Sequence, residues 1–332
     1  VKRIFLSFIL MTMMVFFSFA GGAKEQSGNI SVVTTTSIAG DVVSQVVGDK
    51  VELTILMKRG ANPHSYEPTP KDMAAVESAD VVFVSGVGLE ESLLESLENV
   101  SANVMSLSDG VDINTDFEDH DEDEHDHHDE GEDHDEDEHE HHEEEHHHHH
   151  AEGDPHVWMS PINVIVWVQN VEKTMSELDP ANSDYYAANA DAYIEKLYAV
   201  DKEIQDAYSA IPEADRVLIT DHDAFGYYAT RYHLSVIGTV VSSFSDNSES
   251  SAKDLKDLVN IMEEHKVSAL YLGNTSSDSV KDLTTTLKNE LSYTVDIKEL
   301  LTGSLTEEGG DADNYLDFLR FNTKQIIDGL SK

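Results

Sequence analysis

The sequence predicts an α/β fold: two α/β lobes with mainly parallel sheets, joined by one long spine helix. Short β-branched runs alternate with helical patterns in both halves, which implies parallel sheets with helices on their faces. One uninterrupted helical pattern, residues 183–210, would span roughly 40 Å at 1.5 Å per residue. The length of 332 residues suffices for two domains of ordinary size.

Residues 30–36 are β-branched and predict a strand, followed by a short helix at 37–47. A second strand alternates over 51–57 and runs into the Gly/Pro loop 58–64. Pro70 suits the first turn of a helix over 70–79. Val81 to Val84 is a continuous apolar run, as expected of a buried strand. A helix at 90–97 and a strand at 104–107 complete the first series. Ser160 and Pro161 mark a helix start, with serine as N-cap and proline at the first helical position. That helix runs to about 178, where Asp179-Pro180 breaks it. In 183–210, Tyr186, Ala190, Tyr193, Leu197, Val200 and Ile204 recur at helical spacing. The alternation then resumes. Strands are expected at 217–220, 235–241, 269–272 and 293–297, and helices at 224–232, 251–265, 280–291 and 314–330. The predicted organisation is a signal peptide (1–23), an N-terminal lobe (24–180), a linking helix (181–210) and a C-terminal lobe (211–332).

One stretch lies outside this pattern. Residues 116–150 contain twenty Asp or Glu and thirteen His, with Phe117 and Gly131 the remaining two. Such a segment has no apolar face to bury and does not offset the entropy of ordering itself, so a disordered loop is expected. Its histidines, His120, His125, His127, His128, His134, His139, His141, His142, His146, His147, His148, His149 and His150, mark it as a metal-binding tract. The plain alternative is an acidic solvating linker.

Formal net charge is −45. This argues against nucleic acid and anionic membrane surfaces as partners. Lys2 and Arg3 precede the apolar run 4–20, and small residues follow, as in a cleaved secretory signal. Cysteine is absent, so any metal site must use nitrogen and oxygen ligands. The expected location is therefore periplasmic, as a secreted protein that is not a lipoprotein.

Five histidines lie outside the tract. His64, His156 and His222 each stand where an apolar run gives way to a loop or helix start, the usual place for ligands in α/β sheets. His233 and His265 fall late in helices, where a histidine suits the helix dipole.

Four segments carry a resemblance: Gly60-Ala61-Asn62-Pro63-His64-Ser65-Tyr66-Glu67-Pro68, Asp154-Pro155-His156-Val157-Trp158, Asp221-His222-Asp223-Ala224-Phe225-Gly226-Tyr227 and Asp311-Ala312-Asp313-Asn314-Tyr315. In this order they resemble the ligand motifs of the cluster A-I substrate-binding proteins, which serve zinc and manganese ABC importers. The resemblance implies a metal held between two lobes by His64, His156, His222 and Asp313. It also implies an ABC permease as partner. Zinc-type members carry a His-rich insertion just before the second motif, where the tract stands. The chain departs from the pattern at Pro63, at Glu249-Ser250-Ser251, and at Gly273, where a Glu is often found.

The function expected is that of a monomeric protein that captures Zn²⁺ and delivers it to an ABC importer, without enzymatic activity. Three imidazoles and a carboxylate suit tetrahedral zinc. One alternative is a manganese or iron carrier of the same fold. Another is a zinc hydrolase, suggested only by His125-x-His127-x-Asp129, a spacing that any His/Asp tract yields by chance; no His-Glu-x-x-His occurs.

Overall fold

The computed structural model describes residues 30–97, 101–115, 153–241, 243 and 250–331. The expected signal peptide and the whole His/acidic tract lie outside these residues.

The chain enters through β1 (Ile30–Thr34), whose side chains are increasingly buried toward its C-terminal end. Thr36 then accepts a hydrogen bond from Ala39 N and starts α1 (Ser37–Val47). β2 (Val51–Ile55) returns parallel to β1, with Ile30 opposite Val51. Thr69 and Asp72 form a capping box at α2 (Pro70–Ser78). β3 (Val81–Val84) is buried at every position, as a central parallel strand requires. α3 (Glu91–Leu97) and β4 (Val104–Ser106) follow. The sheet is parallel, in the order β2-β1-β3-β4.

Among the described residues, two α-helices separate this sheet from the next. α4 (Pro161–Leu178) begins with Ser160 at the N-cap position and Pro161 in its first turn. α5 (Ser183–Tyr208) is the long helix, 26 residues, about 39 Å in length. Its inward stripe of Tyr186, Ala190, Tyr193, Leu197, Val200, Ile204 and Tyr208 packs against α4 and α1. Asp201 also faces inward, where it binds Arg231 and accepts from Tyr232 Oη at 3.1 Å. A buried carboxylate needs such partners.

The second lobe has the same strand order. β5 (Val217–Thr220), α6 (Gly226–Tyr232), β6 (Ser235–Thr239), α7 (Ala252–His265), β7 (Ala269–Gly273), α8 (Asp278–Glu290) and β8 (Asp296–Leu300) precede α9 (Tyr315–Leu330). The sheet is again parallel, in the order β6-β5-β7-β8. The molecule thus has two parallel-sheet lobes and a long helix, as the sequence predicts.

The last strand differs from expectation. The alternation of Tyr293, Val295 and Ile297 predicts a strand at 293–297, but the ladder pairs Ala269 with Asp296 and Gly273 with Leu300. β8 is an edge strand with mostly exposed charged side chains, so its apolar signal is weak. Tyr293 instead donates its hydroxyl hydrogen to Met262 O at the end of α7.

One apolar core runs through both lobes. It passes from Val32 and Phe83 through Trp158, Trp167 and Tyr193 to Tyr271, Tyr315 and Phe318. Smaller cores lie around Val33, Val82 and Leu93 in the first lobe and Ile219, Leu258 and Leu270 in the second. Among the described residues, no helix is long and apolar enough to cross a membrane.

Candidate metal centre

Each of the three loop histidines is held by a local backbone device. In the loop after β2, Asn62 Oδ1 accepts from His64 N at 3.0 Å and caps the short turn Pro63–Ser65. This places His64 at the edge of the first lobe. His156 precedes the turn Val157–Met159. Asp154 Oδ1 lies 2.9 Å from both His156 N and His156 Nδ1. His222 follows β5, and Thr220 Oγ1 donates to its carbonyl at 2.9 Å. Asp221 Oδ1 lies 3.2 Å from His222 Nδ1.

The three side chains converge. Each offers a nitrogen, and the three nitrogens lie within 4.8 Å of one another. His64 Nε2 is 3.1 Å from His156 Nε2. Two imidazoles bound tetrahedrally to one zinc, at about 2.0–2.1 Å each, would bring their nitrogens to about 3.3 Å. Ring centroids are separated by 5.1 Å for His64–His156, 5.9 Å for His64–His222 and 5.3 Å for His156–His222. His156 and His222 are buried, and His64 is half-buried.

The surroundings favour neutral rings. Burial, and then the neighbouring imidazoles His156 and His222, hold His64 well below the ordinary histidine range. Burial does the same to His156, with His222 adding to it. Neutral nitrogens are the form that binds metal. Burial alone would raise the Asp221 carboxyl. His222 beside it, with hydrogen bonds from Ser276 Oγ and Gly273 N, outweighs burial and holds it low. Asp154 has fewer partners. Burial pushes it up to about 7, and its Oδ2 has no hydrogen-bond partner among the described residues.

Two carboxylates therefore stand beside two imidazoles: Asp154 at His156 Nδ1, the nitrogen remote from His64, and Asp221 at His222 Nδ1. A carboxylate on the remote ring nitrogen fixes the tautomer and raises the ligand's basicity. The sequence reading did not assign this role to Asp154 or Asp221, although both stand inside the quoted motifs. The signal available was Asp one or two positions before each His.

Gly273 completes the support behind His222. Its N–H donates to Asp221 Oδ2 at 3.0 Å. A Cβ there would lie 2.8 Å from that oxygen and 2.7 Å from Thr302 Oγ1. The Gly in place of the often-found Glu thus leaves room for the Asp221 carboxylate.

Asp313 does not join the three histidines, contrary to what the resemblance implies. Its carboxylate accepts from Gly309 N at 2.9 Å and from Asn314 Nδ2 at 3.2 Å, and its carbonyl accepts from Arg59 Nη1 at 2.8 Å. Asp313 thus fastens its own loop. Among the described residues, no fourth His, Cys, Asp or Glu joins the cluster. The thirteen tract histidines lie outside the described residues.

The loop after β8 closes over the site's edge. Thr302 O accepts from Trp158 Nε1 at 2.9 Å, and a Cβ at Gly303 would lie 2.6 Å from Pro63 Cδ. Ser304 Oγ accepts from Gly60 N at 2.7 Å. The two lobes therefore meet at the His64 loop, through Gly60 and Pro63.

A family model described as ZnuA, zinc-uptake complex component A, periplasmic, matches residues 32–329. The chain belongs to this family. It is a metal-binding, substrate-binding protein of an ABC transporter, and the ZnuA family is one of transport proteins rather than enzymes. Among curated relatives, the manganese-binding lipoprotein MntA of Halalkalibacterium halodurans is 28% identical over 337 residues, covering 100% of both chains. The metal ABC transporter substrate-binding lipoprotein ScbA of Streptococcus cristatus is 27% identical, covering 98% of both. Among solved structures, the periplasmic zinc-binding protein TroA of Treponema pallidum aligns with a TM-score of 0.76 at 25% identity, covering 92% of this chain and 100% of TroA.

These relatives correct one expectation. The sequence reading gave a secreted protein that is not a lipoprotein, on the ground that cysteine is absent. Curated relatives matching 98–100% of the chain are named as lipoproteins. The missing cysteine describes these 332 residues and is no guide to how the protein is held outside the cytoplasm.

Proposed function

We propose that this chain captures Zn²⁺ between its two lobes, on His64, His156 and His222, and delivers it as a monomer to the permease of an ABC importer without enzymatic activity. The observation that carries the reading is the convergence of three imidazole nitrogens within 4.8 Å of one another. Imidazole suits zinc, whereas manganese is better served by carboxylate, carbonyl and water oxygens. Holding His64 and His156 neutral by burial keeps the donors ready without prior loss of a proton. A three-nitrogen zinc site also serves enzymes; membership of a transport family supports the carrier reading.

Asp313 takes no part in this reading, because its carboxylate is engaged by Gly309 and Asn314. The tract 116–150 acts as an accessory whose thirteen histidines bind further ions.

A manganese carrier is the second reading, favoured by the relative named for manganese. Competitive titration of the metal-free full chain with Zn²⁺ and Mn²⁺ separates the two. Preference for Zn²⁺ that disappears in His222→Glu supports the zinc reading. Equal or tighter Mn²⁺ binding by the unaltered chain contradicts it.

A further inference from the structure

On either side of the tract, the chain is fastened to itself. Asp154 N donates to Asn114 O at 2.9 Å, joining the residues on either side of the tract. The phenol of Tyr227, on α6 of the other lobe, reaches across to this junction. Its hydroxyl donates to Asp154 O at 3.1 Å and accepts from Asn114 N at 3.0 Å. The side chain is buried, with 9% of the residue exposed.

The junction leads straight to the candidate metal centre. Asp154 uses its carboxylate to hold His156 by both N and Nδ1. Tyr227 follows His222 on the same segment, at the start of α6. Gly226 between them lets the Asp154 carboxylate come close: a Cβ there would lie 2.8 Å from Asp154 Oδ2. One hydroxyl therefore connects the residue that orients His156 with the segment that carries His222.

We propose that Tyr227 is a positioning residue for metal binding: its hydroxyl holds Asp154, and through it His156, at a fixed distance from His222. The proposal rests on reading the three histidines as the metal site. Two histidines from different lobes bind one ion tightly only if their separation is set in advance. Otherwise the ion must order them as it binds, and that cost lowers affinity. The Tyr227 hydroxyl sets the separation with two hydrogen bonds to backbone atoms.

A purely structural role predicts something different, and a neighbour provides the control. Tyr228 is fully buried, and its hydroxyl lies 2.7 Å from Thr323 Oγ1 and 3.1 Å from the Tyr208 hydroxyl. Those partners lie outside the histidine cluster. Tyr227→Phe and Tyr228→Phe each delete one buried hydroxyl that makes two bonds.

The test is Zn²⁺ affinity by chelator competition on the full chain, for Tyr227→Phe, Tyr228→Phe, Asp154→Asn and the double variant Asp154→Asn/Tyr227→Phe. Removing partners behind metal ligands typically weakens metal binding about ten- to a hundred-fold. Tyr227→Phe is expected to weaken binding about ten-fold with unchanged stoichiometry, while Tyr228→Phe binds as the unaltered chain does. The double variant should bind no more weakly than Asp154→Asn, because both act through one residue. Equal effects of the two tyrosine variants, or additive effects of Tyr227→Phe and Asp154→Asn, would overturn the proposal. His64→Ala, His156→Ala and His222→Ala are measured alongside. If all three bind like the unaltered chain, the site reading fails and the proposal falls with it. If they lose binding while Tyr227→Phe does not, the proposal alone fails.

Discussion

At the scale of single residues, Asp154 and Asp221 separate a metal site from a chance gathering of histidines. Asp154 lies behind the His156 ring and leaves Nε2 for the ion, and Asp221 lies beside His222 Nδ1. Asp221→Asn and Asp154→Asn should each weaken Zn²⁺ binding by about ten-fold or more, read by chelator competition; unchanged affinity in both would remove them from the site. Acid should act through His64 with a definite sign. Its folded pKa is depressed below the ordinary 6.5 by burial. Above pH 6.5 both folded and unfolded forms are neutral and no stability is lost. Below it the unfolded chain takes up a proton that the folded chain refuses, so stability falls with pH. Urea unfolding of the metal-free chain at pH 7.5 and 5.5 should therefore show a smaller acid loss for His64→Gln than for the unaltered protein. The histidines were legible because loop positions after apolar runs are visible in sequence. For Asp313, a motif places a carboxylate near the site without saying where its oxygens point. Here they point to Gly309 N and Asn314.

At the scale of elements, the ends of parallel strands carry the site. β5 delivers Asp221 and His222, and β7 ends at Gly273, whose N–H holds Asp221. Gly273→Ala would force a methyl group against the Asp221 carboxylate and Thr302. It should destabilise the fold by about 1–3 kcal/mol and loosen Zn²⁺ binding, measured by thermal unfolding and metal titration on the same sample. A variant as stable and as tight as the original would show that the contact relaxes freely. Most elements were legible because their signals are strong. Val81 to Val84 is a continuous apolar run, Pro161 opens α4, and the helical spacing in α5 is unbroken. β8 was displaced because an edge strand needs little apolar content. Its pairing with β7 is set by backbone hydrogen bonds, which leave no mark on side-chain type. The Asn62 and Asp154 side chains that hold the two histidine loops also escaped notice. Both residues are common in ordinary turns.

At the scale of the whole molecule, the two lobes share one core and are not loosely hung on a hinge. Trp158 and Tyr315 bridge them, with Tyr315 Oη donating to Trp158 O and Trp158 Nε1 donating to Thr302 O. Opening the lobes widely would expose this apolar surface to water, which opposes it. Zn²⁺ binding should therefore leave the radius of gyration unchanged in small-angle scattering of a chain lacking 116–150; a marked contraction on binding would contradict a prearranged site. The same deletion should lower the number of ions bound and leave one tight site. The central claim is that zinc sits on His64, His156 and His222. Zinc-edge X-ray absorption on that deletion variant, loaded with one equivalent, tests it most directly because no tract imidazole remains. Three imidazole nitrogens at about 2.0–2.1 Å are predicted, falling by one in each His→Ala variant. An oxygen-only shell, or a shell unchanged in all three variants, would contradict it.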